Sequence, residues 1–281
     1  MIRFLDSIGK QDISIVGGKG ANLGEMYGKF NVPNGFVVTT KAYRMFIQIR
    51  ELEEEMAEQL SKLDVGNHKL LEKISKELKK LIMEEEMFEG LADEINNAIK
   101  KLKETRFAVR SSATAEDLLT ASFAGQQDTY LNVNRDDVVG AVKKCWASLF
   151  NPRAIYYRHE KKIPHDIAMA VVVQGMVDAD FAGVMFTVDP IQKRFLLIEA
   201  ATGLGEKVVS GEVTPSSFML DKKTLEFAEK NIIYDIDEAI VRKIAEIGLE
   251  IEKHYKIPQD IEFGVKSGEI FILQSRAITT L

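Results

Sequence analysis

The chain has 281 residues, 46% of them hydrophobic and 28% charged, with a formal net charge of −6. That composition is ordinary for a globular protein with a sizeable core, and the acidic balance, with no basic patch, excludes a nucleic-acid binder. A single cysteine, Cys145, excludes an intrachain disulfide framework and fits a reducing cytosol.

The opening MIRFLDSIGK lacks the apolar core of a secretory signal. The longest apolar run, Ile167 to Val177, is interrupted by Gln174 and is too short to span a bilayer. A soluble cytoplasmic protein with no membrane partner is expected, with room for one large domain or for two lobes and a cleft.

The first informative stretch is SIVGGKGANLGEM, from Ser14 to Met26. It reads as a glycine turn followed by a short helix from about Gly20. Glycine beside lysine is a common way to hold phosphate, yet the familiar templates do not fit. In the Walker A pattern Ile13 would stand at the first glycine position and Gly20 at the hydroxyl position. In the dinucleotide-binding pattern the third glycine, Gly24, comes one place late. Alone, the stretch reads more readily as a tight turn with a solvated Lys19 than as a nucleotide site.

After Val32-Pro33-Asn34-Gly35 comes an apolar strand, GFVVTT. From about Lys41 to Lys103 the chain is rich in Glu, Lys and Leu. MFIQIRELEEEMAEQL and KLLEKISKELKKLIM have the apolar spacing of amphipathic packing helices with solvated charged faces. The texture changes at Arg106, where FAVRSS reads as a strand and ATAEDLLTASFAGQQ as a small, polar loop. DTYLNV is β-prone, and Asp136 to about Lys161 is helical. IAMAVVVQGMV, GVMFTVDP and FLLIEAA are strands rich in β-branched or apolar residues. The glycine-punctuated TGLGEKVVSGEVTP follows. Asp235 or Asp237 would cap a helix running to about Lys256, and the chain closes with two β-runs, DIEFGV and IFILQS. The order is mixed α and β, without the alternation of a doubly wound fold.

Three places carry candidate chemistry. In the C-terminal hairpin Asp260 and Glu262 are two apart on a strand, so their carboxylates share a face. A two-residue loop would set Leu273 opposite Glu262 and turn Gln274 away, whereas a three-residue loop, Ser267-Gly268-Glu269, would set Gln274 opposite Glu262. In the second case two carboxylates and an amide oxygen suit Mg²⁺, which prefers oxygen ligands; the other reading is an ordinary amphipathic hairpin. At Val109-Arg110-Ser111-Ser112 an arginine at a strand end enters a Ser/Thr/Gly loop and can offer its planar fork to phosphate. The alternative is a surface arginine beside a loop. AVVVQGMV, from Ala170, breaks at Gln174-Gly175; the break can act as a hinge, or offer backbone groups to an adenine edge with Val and Met around the ring, and the other reading is a plain core strand. The histidines, His68, His159, His165 and His254, read as surface residues, and no catalytic triad or zinc spacing is present.

Taken in order, GGKGANLGEM, VPNGFVVTTKAY, FAVRSSATAEDLLTASFAGQQDTYLNV, GVMFTVDP, GLGEKVVSGEVTP and DIEFGVKSGEIFILQSRAIT resemble a known family. It is the N-terminal ATP-binding region of phosphoenolpyruvate synthase (pyruvate, water dikinase), pyruvate phosphate dikinase and rifampin phosphotransferase. The wording VSGEVTP and GVMFTVDP leans toward the synthase and rifampin branches. The resemblance covers nearly the whole chain, least distinctively at 41–104. It implies an α+β ATP-grasp fold, with the nucleotide in the cleft between two lobes. Residues 1–177 would form the N-terminal lobe, including the helical segment 41–104, and 178–281 the C-terminal lobe with the metal-binding hairpin.

The resemblance also implies roles. Lys19 would contact the ATP phosphates, and Arg110 would hold them and stabilise charge during transfer. The loop from Ser111 to Thr129 would close over the nucleotide, with Gly125 and Thr129 near the phosphates. Gln174, Met176 and the backbone of Gly175 to Val177 would sit at the adenine. Glu262 and Gln274 would bind Mg²⁺, with Asp260 nearby. The activity implied is a dikinase-type phosphotransferase that passes phosphate from ATP to a histidine and releases AMP. That histidine belongs to a swivelling domain and the final acceptor to another; both would act in trans or be missing from this chain. No histidine here matches the phospho-carrier one, and Ser216 stands where the family has Asp. Alternatives are a regulatory ATP-binding module without catalysis, the ATP domain of a rifampin phosphotransferase-like enzyme, and an ATP-grasp ligase.

Overall fold

A computed structural model describes the chain except residues 115–116, 119–120, 123–127, 165–166, 190, 204, 206–207, 209–210 and 279–281, and except the side chains of 117–118 and 121–122. Gly125, His165, and Leu204 and Glu206 of the glycine-punctuated TGLGEKVVSGEVTP therefore lie outside the described residues. The chain divides into two compact units, one of Met1–Glu25 with Asn34–Met176 and one of Met26–Pro33 with Val177–Leu281.

In the first unit the strands are β1 (Ile2–Phe4), β2 (Gly35–Val38), β3 (Arg106–Ala113), β4 (Asp117–Leu118), β5 (Ala121–Ser122), β6 (Thr129–Asn134) and β7 (Met169–Gly175). The helices are α1 (Ile13–Met26), α2 (Thr40–Ile49), α3 (Leu52–Ser61), α4 (His68–Glu84), α5 (Glu89–Lys100), α6 (Val138–Ala147) and α7 (Pro152–Glu160). An antiparallel sheet runs in the order β1-β2-β7-β3-β6, and β4 pairs with β5 alone. Strand alternation sorts its residues. Phe36, Val38, Phe107, Val109, Val171 and Val173 pack on one face into a core with Phe46, Leu78, Ile82 and Trp146 of the helices. The opposite face receives the glycine-rich part of α1, where Gly20 approaches Val37.

Two expected helices are each divided. MFIQIRELEEEMAEQL breaks after α2, because Glu51 takes the left-handed conformation at φ 56° before α3 starts. The stretch from Asp136 to Lys161 is interrupted at Asn151, where Pro152 opens α7. Proline is favoured at the first turn of a helix and cannot continue one through its interior.

The second unit holds β8 (Phe181–Phe186), β9 (Phe195–Thr202), β10 (Ser216–Asp221), β11 (Phe227–Asn231), α8 (Glu238–Tyr255), β12 (Gln259–Lys266) and β13 (Glu269–Ala277). Its antiparallel sheet has the order β11-β10-β9-β8-β12-β13. Of the two capping candidates, Asp237 is the one used: its carboxylate accepts from Ala239 N at 2.8 Å. Gly248 of α8 lies against Met185 and Ile261, so α8 covers the face of the sheet that those two residues share. Asp260 and Glu262 alternate to the other face. β8 and β9 approach so closely that a Cβ on Gly183 would stand 1.9 Å from the carbonyl oxygen of Glu199. Ser216, the departure from the family pattern, is fully buried; its hydroxyl oxygen accepts from Ile233 N at 2.9 Å and Tyr234 N at 2.8 Å. Among the described residues no helix is long and apolar enough to cross a membrane.

Candidate functional site

The glycine stretch owes its shape to Gly17. With φ 70° and ψ 173° it breaks α1, and regular helix resumes after it. A Cβ at Gly17 would lie 2.1 Å from the carbonyl oxygen of Ser112, so only glycine fits. Ser112 then locks the turn to the end of β3. Its hydroxyl donates to Val16 O at 2.8 Å and its oxygen accepts from Gly20 N at 3.0 Å. Lys19 is held to the same strand, Nζ donating to Ser111 O at 3.2 Å. The segments that carry Lys19 and Arg110, far apart in the chain, thus meet in the first unit.

Register decides which neighbours share a face. Ala108 pairs with Gln174, Arg110 with Val172 and Ser112 with Ala170, and on the other side Arg110 pairs with Thr129. Arg110, Ser112, Thr129 and Gln174 therefore project to the face away from the helical core. Arg110 and Gln174 are buried on it, and Thr129 is exposed. Ser111 alternates to the core face, where its hydroxyl is buried without a hydrogen-bond partner among the described residues. What Ser111 presents toward Lys19 is its carbonyl. At the end of β7 two backbone N–H groups are already used, Gly175 N donating to Asn34 O at 2.8 Å and Met176 N to Arg106 O at 3.0 Å.

In the second unit the C-terminal hairpin resolves the two registers left open by the sequence. The loop has two residues, since Lys266 pairs with Glu269, and Ser267 and Gly268 both have positive φ. That loop by itself would set Leu273 opposite Glu262. Instead a bulge between Glu262 and Phe263 takes up Leu273, so that Glu262 faces Gln274 directly and Asp260 faces Arg276. All four side chains share one face. Arg276 holds Asp260 through Nε at 2.8 Å and a terminal nitrogen at 2.6 Å. Burial pushes the Asp260 carboxyl above its usual range, with Glu262 adding to the shift and Arg276 opposing it.

Ser112 and Arg276 were missed as site residues. Each stands two places from a chosen residue on the same strand, Ser112 after Arg110 and Arg276 after Gln274, so period-two alternation alone would have found both.

The chain matches the pyruvate phosphate dikinase AMP/ATP-binding domain over residues 13–235 and 228–281. It belongs to that family. It is 45% identical to a probable phosphoenolpyruvate synthase of Methanocaldococcus jannaschii, over all of this chain and 27% of that protein. A probable phosphoenolpyruvate synthase of Methanothermobacter thermautotrophicus is 43% identical over all of this chain and 46% of its own length. The rifampicin phosphotransferase of Bacillus subtilis is 38% identical over 99% of this chain and 36% of its own. The chain thus spans about a quarter to a half of the length of these relatives. The fold is the α+β ATP-grasp fold that the sequence resemblance implied, here with an antiparallel sheet in each unit.

Proposed function

We propose that this chain binds Mg-ATP and passes a phosphoryl group to a histidine on another domain or polypeptide, as the ATP-binding part of a dikinase-type phosphotransferase. The observation that carries this reading is that Lys19 and the Ser112-locked glycine turn are held to β3, the strand that carries Arg110. An ammonium and a guanidinium beside backbone N–H groups at a helix start suit polyphosphate. In this reading Lys19 holds the phosphates, Arg110 offsets charge as it develops, and Thr129 lies beside them. Gln174 and Met176 meet the base, along with the backbone of Gly175 to Val177. The loop containing Gly125 would cover the nucleotide.

The hairpin of the second unit has the donor chemistry of a magnesium site: carboxylates at Asp260 and Glu262 and an amide oxygen at Gln274, on one face of rigid strands. Those residues would hold a divalent cation, which would supply positive charge to offset that of the phosphates. Arg276 orients Asp260 beside it. The histidine domain and the acceptor domain, for pyruvate, a rifamycin or another compound, would be supplied by the further length that the relatives have.

Calorimetry with ATP and Mg²⁺ tests the reading on the wild type, Lys19→Ala and Glu262→Ala. We expect each substitution to weaken binding about tenfold or more, the scale of one lost charge-assisted contact. Wild-type affinity in both variants would rule the reading out. AMP as product with an added histidine domain would indicate a dikinase, ADP a ligase or simple kinase.

The raised carboxyl of Asp260 sets a pH dependence. A proton retained on a carboxylate to higher pH competes with a metal ion, so Mn²⁺ affinity should fall on acidification earlier than for an ordinary carboxylate site. The sign for folding is the reverse of the usual aspartate. Asp260 contributes stability below its unfolded pKa, and that contribution is lost as pH rises through the raised folded value. Mn²⁺ titrations followed by electron paramagnetic resonance across the acidic range, on wild type and Asp260→Asn, check this. An identical pH profile in the variant would remove Asp260 from the site.

A further inference from the structure

We infer that Asp128 is a positioning residue for Lys19, acting through Ser111. Asp128 stands immediately before Thr129 and is half-buried. Both oxygens of its carboxylate accept hydrogen bonds, Oδ2 from the Tyr130 hydroxyl at 2.8 Å and Oδ1 from Asn151 Nδ2 at 3.0 Å. Asn151 is itself fixed, its Oδ1 accepting from Lys79 Nζ of α4 at 2.9 Å. The turn before Asn151 is pinned to the same helix, Ser75 donating to Phe150 O at 2.6 Å. Burial and the adjoining Asp128 carboxylate push the Tyr130 hydroxyl above its usual range, so it keeps its proton at neutral pH.

The backbone of Asp128 passes this anchorage on. Its carbonyl accepts from Ser111 N at 3.4 Å, and the carbonyl of Ser111 accepts from Lys19 Nζ at 3.2 Å. A path of hydrogen bonds thus runs from Lys79 through Asn151, Asp128 and Ser111 to Lys19. A carboxylate beside a phosphate site would repel the ligand if it projected there; here it is turned to the helices and spent on donors. Asp128 acts by placing backbone, and its charge is not what the site uses. Tyr130 supports this distinction, because a hydroxyl can donate or accept. Asparagine at 128 could donate to Tyr130 and accept from Asn151 with the same geometry.

The inference rests on the reading of Lys19 as a phosphate ligand. It is tested by ATP calorimetry with Mg²⁺ on the whole chain, with thermal melting of each variant alongside. Asp128→Ala and Asn151→Ala should each weaken ATP binding by roughly tenfold, the effect of displacing one charged ligand. Asp128→Asn should bind within about twofold of wild type, since both hydrogen bonds survive. In a Lys19→Ala background, Asn151→Ala should cause no further loss, because the residue through which it acts is gone. Loss in Asp128→Asn equal to that in Asp128→Ala would show that the charge matters and overturn the inference. A further full loss from Asn151→Ala in the Lys19→Ala background would overturn it too. Lys19→Ala binding as tightly as wild type is a different failure, removing the phosphate reading beneath it.

Discussion

Alanine at Gly17 should destabilise the first unit by about 3 kcal/mol or more, a large part of the roughly 5–15 kcal/mol that holds a domain folded. Two causes add. At φ 70° and ψ 173° the backbone lies in a region that is essentially restricted to glycine. The new Cβ would also stand 2.1 Å from the Ser112 carbonyl oxygen, a backbone atom of a strand paired on both sides. Relief would require β3 to move or the Ser112 bonds to Val16 and Gly20 to break. Gly20→Ala is the contrast, since its Cβ would meet only Val side-chain carbons, the nearest at 3.2 Å. Trp146 is the sole tryptophan and is fully buried in the first unit. Its fluorescence during urea unfolding therefore reports on this unit. Equal urea midpoints for Gly17→Ala and wild type would show that the close approach imposes no constraint.

Arg110→Lys should lower phosphoryl transfer by about 10³-fold while weakening ATP binding far less, by the scale set by arginine fingers in other phosphotransferases. Lysine keeps the charge but loses the planar fork that can engage two phosphate oxygens together. β3 runs on past Arg110 to Ala113, so the arginine expected at a strand end is buried within the strand between Thr129 and Val172, and its direction is set by the sheet. A shorter, freely rotating ammonium cannot reproduce that direction. The check is single-turnover transfer from ATP to a histidine domain taken from a full-length relative, with calorimetry on the same variant. A transfer rate near wild type would mean that charge alone suffices at this position.

Much of the fold was legible because the signals are local. β7, β8 and β9 follow their β-branched and apolar runs, and α8 begins at one of its two capping candidates and ends close to Pro258. β10 and β11 were not foreseen. SSFMLD and FAEKN are short and partly polar, and FAEKN is the exposed edge of its sheet, where little apolar burial is needed. The break at Glu51 was equally hidden, since the apolar spacing continues through it while the backbone does not.

By itself the sequence determined most of the strand and helix types, the α+β class and the family, and it proposed the residues that would meet a nucleotide and a metal ion. Tertiary structure decided how those residues are set. The hairpin loop length alone predicted the wrong partner for Glu262, and a bulge at Leu273 changed it. The glycine turn carried no template, and what shapes it is a serine 95 positions after Gly17 that leaves no room for a Cβ. Periodicity reports on neighbours along the chain, where each residue's direction follows from the last. Register shifts and close backbone approaches depend on residues far away in sequence, and only the folded chain brings them together.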